Sequence, residues 1–307
     1  MSQNHTRTPK EERLSVLLFL FTIASILLIL CAAFAWLLPS VWQAQLGAGW
    51  PRIAGVFLIA HLFCSFGEFF FHRYVFHVPT FPLLSHFYKQ HTLHHALTRV
   101  SYARPAAGQP AVPRLVEVKN LYPIEKDPQR EASFFPWYSL LAFAGVVTPF
   151  LALLQWLLPT LPIVLGGWLG LAWTLTLYEL LHAVEHLPQG IWDRLVTRPR
   201  TGRFWRKAYA FHLRHHADIR CNESVSGFFG FPLPDLIFGT YIDPETLYPH
   251  EGEIPVHEFK SQSPRFAFLR RLDELADQAV ANRRLGRPRA TAGSKEARDL
   301  VLEQLDG

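Results

Sequence analysis

Two long stretches without a charged residue constrain the fold of this chain more than any other feature. No Asp, Glu, Lys or Arg occurs from Leu14 to Pro51 or from Ala132 to Tyr178. Charged residues make up 18% of the 307 residues, whereas about a quarter is usual in soluble proteins. About 20 apolar residues span the hydrocarbon core of a bilayer, where a charge is costly. The sequence therefore predicts an integral membrane protein.

Prolines and polar segments divide the apolar stretches into four predicted transmembrane helices. Pro39 ends the first, and Pro159 and Pro162 mark a turn between the last two, because proline cannot continue a helix. The predicted fold is all-α, with the four helices arranged as two hairpins. We expect the helices at about residues 14–38, 53–71, 137–158 and 163–181.

The polar segments complete the predicted domain organisation. Residues 1–13 form a polar N-terminal tail, residues 14–260 a membrane-embedded domain, and residues 261–307 a charged C-terminal helix with a flexible tail. Within the membrane-embedded domain, residues 72–135 and 182–260 are predicted to form a helical cap.

The distribution of basic residues predicts on which side this cap lies. Of the 30 Lys and Arg residues, only Arg52 falls outside residues 1–13, 72–135 and 182–307. Because basic residues are enriched on the cytoplasmic side, the cap is predicted to be cytosolic in a multi-pass protein. Arginine outnumbers lysine 23 to 7, which favours a GC-rich genome and a bacterial inner membrane over the endoplasmic reticulum.

Ten of the 15 histidines occur in four short motifs, all in the predicted cap. Two are triplets with histidines at positions i, i+3 and i+4, which share one face of a helix. One pair has the spacing i, i+4, and the other is five residues apart, so that it is predicted to require a helix end between its members. We call these motifs the first pair, His72 and His77; the first triplet, His91, His94 and His95; the second pair, His182 and His186; and the second triplet, His212, His215 and His216.

Convergent imidazoles at this spacing predict a metal site. Neutral imidazole binds iron, zinc and copper, and ten ligands exceed what one ion accepts, so we expect two metals. Glu179 and Asp218 are predicted to accept hydrogen bonds from the outer N–H groups of these imidazoles. His86 is a further possible ligand. His61, alone within the second helix, is interpreted as a hydrogen-bonded core residue.

Other function classes fit the sequence less well. The formal net charge of +5 is interpreted as the cytoplasmic flanks of a membrane protein, since no nucleic-acid-binding motif is visible. The three cysteines form no CxxC pair, which disfavours a thiolate zinc site. A metal transporter would carry ligands near the bilayer midplane, where only His61 lies. A zinc hydrolase typically carries His-Glu-x-x-His, which is absent.

The four histidine motifs in this order resemble those of the fatty acid hydroxylase/sterol desaturase superfamily. The resemblance rests on His72-Arg-Tyr-Val-Phe-His77, His91-x-x-His94-His95, His182-x-x-x-His186 and His212-x-x-His215-His216. Phe231-Pro-Leu-Pro-Asp235-Leu-Ile-Phe238-Gly239-Thr240 resembles the segment that follows the last motif in that family. The similarity covers roughly residues 55–241. It implies four spanning helices, a cytosolic cap and two iron ions bound by the ten histidines.

The resemblance also implies an oxidoreductase that uses molecular oxygen and two electrons. We expect a lipid hydroxylase acting on a fatty acid, sterol or sphingolipid, with a lipid desaturase as the alternative. No His-Pro-Gly-Gly haem motif and no Gly-rich dinucleotide motif is present. Electrons are therefore expected from a separate donor of the cytochrome b5, ferredoxin or reductase type. Imidazole spacing alone would also accept zinc.

Overall fold

A computed structural model describes residues 9–79, 84–102, 116–120, 135–187, 189–243 and 262–285. Within these ranges the chain is chiefly helical, as predicted, and its α-helices are numbered here in chain order. They are α1 Pro9–Leu37, α2 Pro39–Gly47, α3 Trp50–Phe71, α4 Ser85–Leu97, α5 Ser139–Leu157, α6 Ile163–Glu185, α7 Gln189–Val196, α8 Gly202–Ala217, α9 Leu233–Phe238 and α10 Ala267–Leu285.

Four helical segments are long and apolar enough to cross a membrane, which indicates a membrane protein. They occupy Val16–Leu37, Trp50–Phe76, Ser139–Leu157 and Ile163–Glu185. The four predicted transmembrane helices are therefore present, but two of them extend further than expected. The second segment continues beyond residue 71, and the fourth continues to Glu185, so that each carries its own histidines.

Three local features differ from the predictions or fall outside them. Residues 39–47 form the short helix α2 rather than the predicted turn, because Pro39 at its first position has a backbone already suited to a helix. Two strands, β1 Thr98–Tyr102 and β2 Val116–Asn120, form an antiparallel ladder that pairs Val100 with Val118. The expected Pro-rich loop at residues 105–113 lies outside the described residues.

Helix α6 is the central helix of the apolar part. About 72% of its most apolar stretch is buried inside the protein, against 17% in each of the other three spans. Its glycines allow α3 to approach closely: a Cβ atom at Gly170 would lie 2.7 Å from Ala60 Cβ and 2.9 Å from the His61 amide nitrogen. A Cβ at Gly166 would lie 2.6 Å from Val56 Cγ1. Small residues four apart therefore bring together the two helices that carry the histidine pairs.

Two buried glutamines satisfy the free backbone N–H groups at the start of α6. Gln155 Oε1 accepts hydrogen bonds from the amides of Ile163 (2.9 Å) and Val164 (3.4 Å). Gln45 Oε1 accepts one from Leu165 (2.7 Å). The first N–H groups of a helix have no partner within the helix, and lipid supplies none, so these side chains stabilise the start of α6.

The C-terminal helix α10 packs against the rest of the fold instead of forming a separate segment. Leu269 is fully buried beside Phe69 of α3 and Phe238 of α9. Asp273 forms an ion pair with Arg73. The predicted flexible tail, residues 286–307, lies outside the described residues.

Candidate metal centre

The first pair occupies a π-helical turn, His72–Phe76, that continues α3. The helix ends between these two histidines, as predicted, because Phe76 is its last residue and His77 follows it directly. Hydrogen bonds in a π turn run five residues along the chain, so residues five apart stack. The His72 and His77 ring centroids are 5.1 Å apart. The distance is similar to that between histidines four residues apart on an α-helix: the ring centroids of His91 and His95 are 4.6 Å apart.

The other three motifs lie on or directly after α-helices that point into the same region. Helix α4 carries the first triplet, and α8 carries the second. His182 lies in the last turn of α6, and His186 follows that helix immediately. All ten predicted histidines are therefore supplied by four separate elements, which explains why residues up to 144 positions apart in the sequence meet.

Nine of the ten histidines form two groups. Within each group, the ligand nitrogens all lie within 4.8 Å of one another. His216 is the tenth: its Nε2 lies 3.0 Å from that of His212, and its ring centroid lies 4.2 Å from that of His95. It therefore lies between the two groups. Group 1 contains His72, His77, His91, His95 and His215, and group 2 contains His94, His182, His186 and His212.

Within each group the Nε2 atoms face one another. In group 1, His91 Nε2 lies 3.0 Å from His72 Nε2, 3.2 Å from His77 Nε2 and 3.0 Å from His95 Nε2. In group 2, His94 Nε2 lies 3.0 Å from His182 Nε2 and 3.1 Å from His186 Nε2. Each group thus encloses a point surrounded by imidazole nitrogens.

Backbone carbonyls determine the tautomer of two of these rings. His72 Nδ1 donates to the Glu223 carbonyl (2.5 Å), and His215 Nδ1 donates to the Cys221 carbonyl (2.9 Å). A carbonyl only accepts, so Nδ1 carries the proton in both rings and the Nε2 lone pair points into group 1. Facing lone pairs repel each other unless a cation lies between them. The residues present therefore fit a bound metal ion.

Burial keeps seven histidines of the two groups in the neutral form that ligates metals. Burial, reinforced by neighbouring imidazoles, lowers the pKa of six of them well below the ordinary value. Burial also lowers the pKa of His215 to about 4, although the Cys221 carbonyl and Asp218 oppose this shift. The six residues are His77, His91, His94, His95, His186 and His212.

The two orienting carbonyls belong to one segment, Arg220–Phe231, which we call the carbonyl loop. Buried Asp235 accepts hydrogen bonds from the amides of Glu223 (3.0 Å) and Ser224 (2.8 Å). Glu68 of α3 accepts from the Ser226 amide (2.8 Å). The Asp235 carboxylate therefore fixes the backbone that orients His72.

The two predicted second-sphere carboxylates each accept a backbone hydrogen bond. Glu179 Oε1 accepts a hydrogen bond from the Phe135 amide (2.5 Å), and Asp218 Oδ1 accepts one from the Arg220 amide (3.0 Å). A third carboxylate, Glu185, has its Oε2 atom 3.3 Å from His212 Nδ1. Side-chain patterns gave no signal for the backbone carbonyls of Cys221 and Glu223, because every residue carries a carbonyl.

The contacts of two histidines outside the four motifs show whether they belong to the candidate metal centre. His61 Nδ1 lies 2.8 Å from Thr174 Oγ1, and its Nε2 accepts a hydrogen bond from the Phe229 amide (3.1 Å). The Thr174 hydroxyl donates to the Gly170 carbonyl, so it accepts from His61. The interpretation of His61 as a hydrogen-bonded core residue is confirmed. His86 belongs to neither metal-binding group among the described residues.

No model of a known protein family, no curated protein and no solved structure matches this chain.

Proposed function

We propose that this protein is a membrane-bound lipid hydroxylase whose two histidine groups each bind an iron ion. The observation that carries the proposal is the convergence of the Nε2 atoms into two adjacent groups with Nδ1 protons directed outwards at His72 and His215. Five histidines of group 1 would hold one ion. Group 2, with His216, would hold the other.

The position of the groups supports a lipid substrate. His72 lies in the last turns of the span Trp50–Phe76, and His182 lies in the last turn of the span Ile163–Glu185. A substrate whose tail stays in the bilayer can therefore bring a carbon atom to this level. The predicted hairpins and the positive-inside rule would make this level the cytosolic face. The excess of arginine over lysine favours a bacterial inner membrane.

The chemistry of hydroxylation needs more than the chain itself supplies. When bound, a pair of iron ions would activate O2, the oxidant, for removing hydrogen from an unactivated C–H bond. The balanced reaction takes the C–H bond, O2, two electrons and two protons to an alcohol and water, with the electrons from a separate donor protein. The chain contributes neutral ligands, their orientation and a buried site that limits access of water.

The identity of iron and the oxygenase reaction rest on the resemblance of the four histidine motifs to the fatty acid hydroxylase/sterol desaturase superfamily. Desaturation requires the same centre and differs only in the step after hydrogen removal. Zinc would be accepted by the same ligands but cannot change its oxidation state. Metal content and product analysis together therefore decide between these functions.

Lipid mass spectrometry of an aerobic host that supplies an electron donor, with and without the protein, tests this proposal. We expect a lipid heavier by one oxygen atom and about two iron ions per purified chain. His94→Ala should abolish the product, because His94 Nε2 is central to group 2. His86→Ala is the matched control on the same helix and should retain it.

The alternative outcomes separate the candidate functions. A lipid lighter by two hydrogen atoms would identify a desaturase. If the lipid profile of the host is unchanged although the purified protein contains two iron ions, lipid oxidation in that host is refuted. Purified protein that binds metal without consuming oxygen would direct attention to metal transport.

A further inference from the structure

Asp273, on helix α10, lies outside the region that resembles the superfamily but binds the residue next to a predicted ligand. Arg73 Nε donates to Asp273 Oδ1 (2.9 Å), and Arg73 Nη2 donates to Asp273 Oδ2 (2.7 Å). The Tyr74 hydroxyl also donates to Asp273 Oδ1 (2.8 Å). This two-point contact fixes the plane of the guanidinium group.

The same guanidinium group continues from Asp273 to the carbonyl loop. Arg73 Nη1 donates to Glu223 Oε1 and to the Arg220 carbonyl, both at 2.9 Å. Arg73 and Glu223 are both almost completely buried. Because water cannot replace a partner there, the position of the Arg73 group determines where the Glu223 side chain can lie.

Glu223 completes the connection to the candidate metal centre. Its side chain binds Arg73, while its backbone carbonyl accepts the Nδ1 proton of His72. That hydrogen bond directs the His72 Nε2 lone pair into group 1. A continuous path of hydrogen bonds therefore runs from α10 to one predicted ligand of group 1. Within the described part of the chain, the polar contacts of Asp273 are with Arg73, Tyr74 and Arg220, and none is with a group 2 histidine.

We propose that Asp273 is a positioning residue for group 1, acting through Arg73 and Glu223 on the orientation of His72. Helix α10 thereby completes the site from outside the histidine motifs. The inference rests on the proposed metal centre, but it does not depend on the identity of the metal or on the reaction.

A neighbouring ion pair on α10 holds this helix against the fold without contacting Arg73. Asp277, one turn further along the helix, pairs with Arg220, and its side chain is 71% exposed. An exposed pair of this kind contributes little to stability. Asp273 also pairs with Arg220 (3.1 Å) but in addition contacts the buried Arg73 guanidinium, whose remaining donor binds the Arg220 carbonyl and the Glu223 side chain. Only Asp273 is therefore connected through Arg73 to the carbonyl that orients His72.

Titration of the metal-free, full-length protein in detergent with Co2+ tests the proposal. Wild type should bind two Co2+ ions, one in each group. Asp273→Asn should bind the ion in group 1 about tenfold more weakly, because loss of a ligand-orienting partner typically costs 10–100-fold in affinity. The visible absorption spectrum of that ion should change, and the affinity for the other ion should stay the same. The matched control Asp277→Asn should behave like wild type.

Two results would overturn the inference while leaving the metal centre intact. Asp273→Asn could bind both ions with wild-type affinity and spectra, or it could weaken both equally together with a lower unfolding temperature. Either outcome would make Asp273 a structural residue only. Wild-type protein that binds fewer than two Co2+ ions would instead refute the proposed metal centre, and with it this inference.

Tyr74→Phe keeps the test decisive if Asp273→Asn fails to fold. It removes one hydrogen bond from Asp273 Oδ1 without changing any charge, and should weaken the same Co2+ ion about threefold, as expected for a single hydrogen bond. Unchanged binding of both ions in a folded Tyr74→Phe protein would contradict the proposal.

Discussion

Replacing Gly170 by alanine should disturb both the stability of the protein and its metal centre. The new Cβ would lie 2.7 Å from Ala60 Cβ and 2.9 Å from the His61 amide nitrogen. Carbon atoms in contact are ordinarily about 3.4 Å or more apart, so α3 and α6 must separate by roughly 0.7 Å. Such overpacking typically costs about 1–3 kcal/mol of unfolding free energy.

The same displacement should weaken metal binding. Helix α3 leads to His72, and α6 carries His182, so a separation of the helices shifts one group relative to the other. Metal–nitrogen distances in proteins hold within about 0.2 Å of their ideal values, which is less than the expected displacement. We therefore expect weaker Co2+ binding in Gly170→Ala than in wild type.

Unfolding in detergent and Co2+ titration measure these effects, with Gly145→Ala as the matched control. Gly145 lies within helix α5, and a Cβ there meets no atom within 4 Å. Both variants gain the same helix propensity, about 1 kcal/mol, so the difference between them isolates the strain at Gly170. Equal stabilities and equal Co2+ affinities in the two variants would refute the argument that the approach of α3 to α6 positions the site.

Two other predictions concern the protonation of the site and the start of α6. Since burial lowers the pKa of His215 to about 4, the imidazole stays neutral below its ordinary pKa of 6.5. Co2+ affinity should then be nearly constant from about pH 8 to pH 6 and fall only towards pH 4, whereas a decline that begins near pH 7 would contradict the site's burial. Gln155→Leu removes the acceptor for the Ile163 and Val164 amides and the donor to the Leu161 carbonyl. It should lower the unfolding free energy by about 1–3 kcal/mol, and an unchanged unfolding free energy would refute the capping role.

Features that depend on local sequence were predicted well. The uncharged stretches lead to four apolar helices, because span length and composition are properties of consecutive residues. The triplets and the second pair lie on or at the end of helices with the expected spacing. The interpretation of His61 as a core residue also agrees with its isolation among apolar neighbours.

Features that depend on tertiary contacts were not predicted. The assignment of nine histidines to two groups, with His216 between them, depends on how four elements meet, and the spacing along the chain does not contain that information. The orienting groups at Cys221 and Glu223 are backbone carbonyls, which every residue carries. The docking of α10 depends on Asp273 meeting Arg73, 200 positions away in the sequence.

The π turn at His72–Phe76 has a consequence for how such sites change during evolution. One extra residue between two ligands is absorbed by a wider turn, and the two rings still stack 5.1 Å apart. A spacing of five residues in a π turn therefore brings two rings to nearly the same separation as a spacing of four in an α-helix, although the angle between the ring planes is 21° in the first case and 72° in the second. A single-residue insertion or deletion within such a motif can be neutral for the site, and a search pattern with a rigid gap would separate proteins whose centres are equivalent.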